Sequence, residues 1–203
     1  MRPLIDCLTT TVKEKMALLE GTVHSYSHVD RVFRIATYLA KREKADVELV
    51  QIGAILHDIG RTVGEPHNET GARLASEILS GTDYPHEKSD RVASIVLHHA
   101  LPLRDKLETL EEKIVWDADK IDLLGAAGVA RVFHWLGKRP FENVVKDCFE
   151  ELKPIYSLLN TPTSKRIAKK RHARTMAFLS ALEEELSLKD LDMSQEQQSG
   201  KCR

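Results

Sequence analysis

Hydrophobic residues recur every three to four positions along most of the chain, which is the spacing of amphipathic helices. A first helix is predicted over about 3–20, ending before Gly21, from the apolar positions Leu4, Leu8, Val12, Met16 and Leu19. A second helix is predicted to begin at Ser27, which has capping-box spacing with Asp30 and places His28 in the first turn. No run alternates convincingly between apolar and polar residues as a β-strand does.

The rest of the chain continues the helical pattern. "ADVELVQIGAILHD" is largely apolar and predicts a central helix, and "HNETGARLASEILS" predicts one over about 67–80. "HEKSDRVASIVLHHA" predicts another before Pro102. The stretch "TLEEKIVWDADKIDLLGAAGVARVFHWLG" predicts one long helix or two short ones, because Gly125 and Gly128 permit either close packing or a break. Two closing helices are predicted within about 140–186, and 187–203 is expected to be a disordered tail.

These patterns predict one all-α domain, a compact multi-helix bundle over 1–186. With 30 Lys and Arg against 31 Asp and Glu, the formal charge of −1 gives no overall attraction to nucleic acid or to anionic membranes. The basic stretch over 164–174 is interpreted as a solvated helix face, because aromatic residues do not interleave it and an acidic run follows at 183–185. A role for this stretch in binding nucleotide phosphates or RNA is the alternative.

Location can also be predicted from composition. Three widely spaced cysteines build neither a disulfide framework nor a metal knuckle, which favours a reduced, intracellular protein. No apolar run approaches the roughly 18 residues that a membrane span requires, so a cytoplasmic protein without membrane contact is expected.

Polar residues stand where the apolar helix in "GAILHDIG" is predicted to end. Consecutive helical residues point about 100° apart, so His57 and Asp58 would not normally share one ion. The backbone can turn near the end of a helix, and Gly60 suits such a turn, so that both side chains could converge on one centre. Imidazole and carboxylate groups are good ligands for manganese, iron, cobalt, nickel or zinc, and suit calcium less well.

A second set of carboxylates lies in "DADKID". Asp119 and Asp122 are three residues apart and share a helical face, whereas Asp117 would point about 200° away from Asp119. The spacing therefore favours Asp119 and Asp122 as the pair that faces a site. It leaves open which carboxylate would bind metal.

The order of these residues resembles the HD-domain superfamily of metal-dependent phosphohydrolases. "HVDRV" and "LHDIG" match its first two motifs, and "IVWDADKIDLLGAAGVAR" resembles the last Asp motif of its small bacterial and archaeal members; the resemblance covers about 20–135. It implies an all-α HD fold with the metal ligands His28, His57, Asp58 and Asp119. Asp119 is chosen because the family's last ligand is the Asp of an Ala-Asp pair.

Some family members hold further ions through added histidines. His67 and His98 resemble these, while the adjacent His99 would face a different side if its helix continues. One or two divalent ions are therefore expected, drawn from manganese, iron, cobalt, nickel, zinc and magnesium. The remaining histidines, at 24, 86, 134 and 172, are expected at the surface or on helix faces.

The expected chemistry follows from the charge of the ion. A divalent metal lowers the pKa of bound water and polarises a phosphoryl oxygen. Asp58 is expected to bridge ions or to orient the water, and Asp122 to contact a sugar hydroxyl or to act as a base behind the ligands. Phosphate contacts are expected from Arg31, Lys120 and Arg61.

The resulting hypothesis is a phosphohydrolase that cleaves a phosphoester or phosphoanhydride of a nucleotide or another small phosphorylated molecule. One alternative is a cyclic-nucleotide phosphodiesterase, although the "GYP" signature of the larger cyclic-dinucleotide branch does not occur after His99. The other is a non-catalytic, metal-containing nucleotide sensor or interaction module. Apolar faces in the closing helices would allow a homodimer.

Overall fold

A computed structural model describes residues 2–136 and 139–191, and within these ranges the chain forms helices and no strand. The α-helices are α1 Arg2–Met16, α2 Tyr26–Glu43, α3 Val47–Leu56, α4 His67–Ser80, α5 His86–His98, α6 Leu110–Ile121, α7 Gly125–Leu136, α8 Phe141–Leu158 and α9 Pro162–Leu186. Short 3-10 turns span Ala17–Leu19, Ile59–Thr62 and Leu101–Lys106. The all-α fold is confirmed. From residue 192 onward the expected tail lies outside the described residues.

Helix α3 forms the centre of the bundle. Every residue from Ile52 to Leu56 is buried, and the helix packs against α1, α2, α5 and α6. An apolar surface on all sides is what a helix surrounded by other helices requires. The central position predicted for this segment is therefore confirmed, and its carboxyl end lies deep in the protein.

Helix α2 begins earlier than its sequence predicts. Ser25, and not Ser27, is the residue that precedes the helix, and its hydroxyl does not cap a backbone N–H. The expected capping box at Ser27 and Asp30 is wrong, because both residues lie inside the helix. His28 nevertheless falls in the first turn, as predicted, and its side chain is buried.

Gly60 allows α4 to approach the end of α3. Its φ is not positive, so the turn after His57 and Asp58 does not depend on a left-handed glycine. A Cβ at Gly60 would lie 1.9 Å from the backbone oxygen of His67 and 2.6 Å from the backbone nitrogen of Gly71. The absence of a side chain therefore brings the first turn of α4 against the residues that follow α3.

The long apolar stretch after residue 109 divides into two helices. Helix α6 has a capping box formed by Thr109 and Glu112, and it ends at Ile121. The next helix starts at Gly125, whose φ of +83° favours glycine, and the backbone N–H of Gly125 donates to Thr175 Oγ1 at 2.7 Å. The break leaves Asp119 in the last turn of α6 and Asp122 directly after it. No helix in the described part of the chain is both long and apolar enough to cross a bilayer.

Candidate metal centre

Side chains from three helix ends meet at one point in the interior. His28 comes from the first turn of α2, His57 and Asp58 follow the last residue of α3, and Asp119 lies in the last turn of α6. His28 Nε2 lies 3.3 Å from His57 Nε2, 3.3 Å from Asp119 Oδ1 and 3.7 Å from Asp58 Oδ2. His57 Nε2 lies 3.8 Å from the same Asp58 oxygen.

These separations suit one shared ion. Nitrogen and oxygen ligands stand about 2.0–2.2 Å from zinc, so two ligands on neighbouring positions lie about 3.0–3.5 Å apart. The observed separations of 3.3–3.8 Å need only small movements to reach that range. His28, His57 and Asp119 form a group whose donor atoms lie within 4.8 Å of one another, and Asp58 Oδ2 lies beside the two imidazoles of this group.

Both imidazoles are held so that Nε2 faces this point. His57 Nδ1 donates to the backbone oxygen of Ala54 at 2.8 Å, and His28 Nδ1 lies 2.8 Å from Asp122 Oδ2. Because Nδ1 is used in each hydrogen bond, Nε2 is the nitrogen that remains for a ligand. Hydrogen bonds of this kind fix the tautomer and the orientation of metal-binding histidines.

Asp122 lies behind His28 and is only 1% exposed. Besides His28, its oxygens accept from Arg31 Nε at 2.8 Å, Arg31 Nη2 at 3.0 Å and Arg131 Nη1 at 2.7 Å. Asp122 does not line the cavity beside the ligands, so its expected contact with a sugar hydroxyl stays a prediction without support from this geometry. Arg31 does not line the cavity beside the ligands either, since its guanidinium is committed to Asp122 from the outside.

Asp58 directs its two oxygens to different groups. Oδ2 faces His28 and His57, whereas Oδ1 lies 3.3 Å from His99 Nε2 and accepts from Arg61 Nε at 2.8 Å. Asp58, His67 and His99 form a second group whose donor atoms lie within 4.8 Å of one another. The carboxylate of Asp58 therefore belongs to both groups, which is the arrangement that a bridging ligand requires.

His98 does not join this second group. Its Nδ1 lies 3.0 Å from Glu112 Oε1 and 3.4 Å from the hydroxyl of Ser94. The sequence resemblance placed an added ligand at His98, but α5 ends there and the next residue points inward. His99 is 2% exposed, and its Nδ1 donates to the backbone oxygen of Val96 at 2.6 Å, so its Nε2 is turned toward Asp58.

His67 and His24 each have one nitrogen with no hydrogen-bond partner. His67 Nδ1 lies 2.7 Å from Glu65 Oε2, while its Nε2 is buried and unpaired. His24 was expected at the surface, yet its Nδ1 lies 3.0 Å from Asp58 Oδ2 and its buried Nε2 also lacks a partner. His24 lies in a turn outside the helical pattern, so periodicity alone does not reveal its contact with Asp58.

The other histidines stay away from the centre. His86 is exposed on the first turn of α5, and His134 Nε2 lies 3.0 Å from the backbone oxygen of Gly21. His172 stacks on Tyr156 with ring centroids 4.7 Å apart. These three positions agree with the expected places at the surface or on helix faces.

Charges in the centre favour the forms that bind a cation. Burial would raise the pKa of Asp58 and of Asp119, but neighbouring histidines, with Arg61 beside Asp58 and Lys120 beside Asp119, hold both pKa values well below the usual range. Burial lowers the pKa of His57 to about 4, despite the nearby carboxylates. Burial also opposes protonation of His28, yet its hydrogen bonds to Asp119 and Asp122 raise its pKa overall. A cation among these groups would therefore take the place of a proton on His28.

A cavity of about 300 Å³ lies beside both groups. Basic side chains from three segments line it, Arg61, Lys120 and Arg131, together with the ligand side of Asp58 and Asp119. Lys120 Nζ lies 2.5 Å from Asp119 Oδ2 and above the ring of Trp116. Sequence reasoning did not find Arg131, which comes from α7, a helix that packs against α8 and α9, and which reaches the site through its hydrogen bond to Asp122. The rest of the lining includes apolar residues, among them Val23, Leu101, Pro102, Leu123, Val132 and Trp135.

Comparison with known proteins connects this geometry with a family. Residues 25–124 match the family model described as HD domain. The Bacillus subtilis protein YpgQ is 29% identical over 188 residues, which cover 86% of this chain and 90% of YpgQ. A crystal structure of YpgQ in complex with ADP superposes with a TM-score of 0.73 at 25% identity, over 89% of this chain and 97% of that one.

Two further structures carry the name of a hydrolase. An HD-superfamily hydrolase from Bacillus thuringiensis gives a TM-score of 0.73 at 26% identity, over 92% of this chain and 98% of that one. An HD superfamily hydrolase from an uncultured Thermotogales bacterium gives 0.66 at 27% identity, over 88% and 91% of the two chains.

Proposed function

Because the chain belongs to the HD-domain superfamily, whose hydrolases share its fold, we propose that it is a metal-dependent phosphohydrolase acting on a nucleotide. The observation that supports this most strongly is the group of His28, His57 and Asp119, with Asp58 beside both imidazoles, next to a cavity with basic side chains. The cleaved bond is a phosphoester or a phosphoanhydride, and water is the attacking group.

The donor set fits a divalent transition metal. Two neutral imidazoles and two carboxylates suit manganese, iron, cobalt, nickel and zinc, and magnesium is the alternative with harder ligand preferences. Such an ion would lower the pKa of a water molecule and polarise a phosphoryl oxygen. A second ion is proposed at Asp58, His67 and His99, where the unpaired Nε2 of His67 is a ready donor.

The protein's own residues would bind and orient the phosphate. Lys120, Arg61 and Arg131 line the cavity, so their positive charges attract phosphoryl oxygens and stabilise the charge that develops on them. Arg61 and Lys120 keep the roles expected from the sequence. Arg31 and Asp122 take a different role, because Asp122 accepts from His28 Nδ1 and thereby aims its Nε2, while Arg31 donates to Asp122 and holds it in place.

A nucleotide is proposed as the substrate class for two reasons. YpgQ, which shares the fold over most of both chains, crystallised in complex with ADP. The cavity of about 300 Å³ is also at the lower end of the range for small-molecule sites, and it combines basic with apolar lining.

A panel of phosphorylated compounds tests the proposal. Nucleoside mono-, di- and triphosphates, cyclic nucleotides and sugar phosphates would be incubated with Mn²⁺, Mg²⁺, Co²⁺, Ni²⁺ or Zn²⁺, and released phosphate and nucleoside products measured. Elemental analysis of the purified protein would accompany the panel. We expect turnover of at least one nucleotide, and tight ADP binding without turnover of any compound would instead favour the nucleotide sensor.

Variants connect any turnover with the centre. His57→Ala and Asp58→Ala each remove a donor atom from the shared point, so both should lose bound metal and activity together. His86→Ala is the matched control, since this histidine is exposed and distant from the ligands. Undiminished hydrolysis by either ligand variant, with its fold confirmed by circular dichroism, would refute the proposal.

A further inference from the structure

An exposed tryptophan lines the cavity beside the metal centre. The chain has two tryptophans, of which Trp116 is fully buried while Trp135 on α7 is 55% exposed. An indole is a large apolar group, and leaving about half of it in water forgoes a substantial part of the gain from burial. Within the described residues, Trp135 meets the ring of His24 edge to face and has no parallel stacking partner.

The indole lies close to the candidate ligands. Its ring centroid is 6.1 Å from that of His24, and His24 Nδ1 lies 3.0 Å from Asp58 Oδ2. A single imidazole ring therefore separates the indole from the shared carboxylate. A group that reached from Asp58 past His24 would meet the indole.

Helix α7 presents a charge and then an aromatic ring to the same cavity. Arg131 and Trp135 are four residues apart, so they lie on one face of the helix about 6 Å apart along its axis. Arg131 donates to Asp122 behind the metal ligands, which places its guanidinium near the centre and the indole one turn further along. Val132 on the same face, with Leu101 and Pro102 from the turn after α5, adds apolar lining.

This succession matches the chemistry of a nucleotide, in which charged phosphates lead through a sugar to a flat aromatic base. We propose that Trp135 stacks against the base of a nucleotide whose phosphates lie at the metal centre. The inference rests on the proposed function and adds that the base itself, and not only the phosphate, is recognised. Because every base has a π face, Trp135 favours nucleotides over other phosphorylated compounds and selects weakly among bases.

Fluorescence offers a direct test, because the two tryptophans differ so strongly in exposure. ADP would be titrated into the metal-loaded protein in a buffer that contains Mg²⁺. Inorganic pyrophosphate is the control ligand, because it has the phosphates but no base. ADP should quench the emission of Trp135, and pyrophosphate should not. Trp135→Phe retains only the buried Trp116, so ADP should leave its emission unchanged.

Affinity measurements separate stacking from a structural role. Trp135→Leu keeps apolar bulk without a π face and should weaken ADP binding by about 5- to 150-fold, while Trp135→Phe loses less. The affinity for pyrophosphate, measured by calorimetry, should stay within about twofold in both variants. Phe141→Leu is the matched control, because Phe141 is 52% exposed on α8 and does not line the cavity.

Three results would overturn the inference: no ADP binding, ADP binding without quenching, or an equal loss of ADP and pyrophosphate affinity in Trp135→Leu. The proposed function fails separately. If ADP binds and quenches Trp135 but no nucleotide is hydrolysed under any metal, stacking stands and phosphohydrolase activity is refuted.

Discussion

Replacing Asp122 with asparagine should weaken metal binding although Asp122 is not a ligand. Asp122 accepts from His28 Nδ1 at 2.8 Å and makes three contacts to the guanidinium groups of Arg31 and Arg131. The asparagine side chain has one oxygen in place of two and no charge, so it can accept at most two of these four hydrogen bonds. The amide nitrogen of asparagine would also direct its N–H donors toward the N–H donors of His28, Arg31 and Arg131.

The size of both effects follows from these contacts. Breaking a buried charge pair from one side costs about 3–5 kcal/mol of stability. Loss of a hydrogen bond that orients a metal-binding histidine typically lowers metal affinity about 10- to 100-fold. Asp122→Asn should therefore show both a less stable metal-free protein and a dissociation constant for Mn²⁺ or Zn²⁺ raised by that factor.

Asp117→Asn is the matched control, from the same helix and equally buried. Its carboxylate also accepts four contacts, from the backbone and side chain of Asn160 and from the backbone and side chain of Thr161, at 2.8–3.0 Å. None of these donors touches a candidate ligand. The Asp117 variant should also lose stability, because buried donors lose their acceptor, and it should keep its metal affinity.

Two measurements decide between these outcomes. Urea denaturation of metal-free protein gives the free energy of unfolding, and competition with a chelator of known affinity gives the metal dissociation constant. If Asp122→Asn binds metal within twofold of the wild type, orientation of His28 by Asp122 is refuted. The same holds if Asp117→Asn loses as much metal affinity, because general loosening of α6 would then explain both.

Three further outcomes are expected. Burial would raise the pKa of Glu112, but hydrogen bonds from a serine hydroxyl and backbone N–H groups lower it to about 2. The ionised form of Glu112 therefore stabilises the fold fully above about pH 4.5, and this stabilisation is lost as the pH falls toward 2. Glu112→Gln should cost about 2 kcal/mol in urea denaturation at pH 7 and less at pH 3, and an equal deficit at both would contradict this. Gly60→Ala should lower the free energy of unfolding by about 3 kcal/mol or more and the Tm by about 6–12 °C, because the new methyl group would lie 1.9 Å from a backbone oxygen. Gly81→Ala is the control, since its nearest atom is 3.6 Å away, and it should change stability by no more than about 0.5 kcal/mol. Comparable losses in the two variants would argue against the clash. In excess Mn²⁺, elemental analysis should find two ions in the wild type and in His98→Ala but one in His99→Ala, and a single ion in the wild type would rule out the second site.

Local patterns were sufficient for the helices, whereas the candidate set of His28, His57, Asp58 and Asp119 came from the family resemblance. Periodicity located α3 and α4, and helical spacing separated Asp119 from Asp117, which turns away to the loop before α9. These predictions succeed because they depend on neighbours within two helical turns.

The residues that were misplaced or missed depend on contacts between distant segments, or on the rotation of a helix about its axis by one residue. His24 reaches Asp58 from a turn without periodicity, and Arg131 reaches Asp122 through the packing of α7. Whether His98 or His99 faces inward depends on where α5 meets α3 and α6, since neighbouring residues differ by about 100°. The sequence of α5 alone does not determine that rotation.

The helix end at "GAILHDIG" explains how adjacent residues serve one centre. His57 keeps helical angles, with φ −53° and ψ −40°, while Asp58 departs from them at φ −102° and ψ 10°. The φ of Asp58 differs by about 40° from the usual helical value, which turns its side chain relative to that of His57, and its ψ ends the helix. It also leaves Oδ1 of Asp58 directed to the side of His99, where Gly60 brings α4 and His67 close. Both candidate ion positions therefore depend on one residue where the central helix stops, so no other single carboxylate in the described centre can replace Asp58.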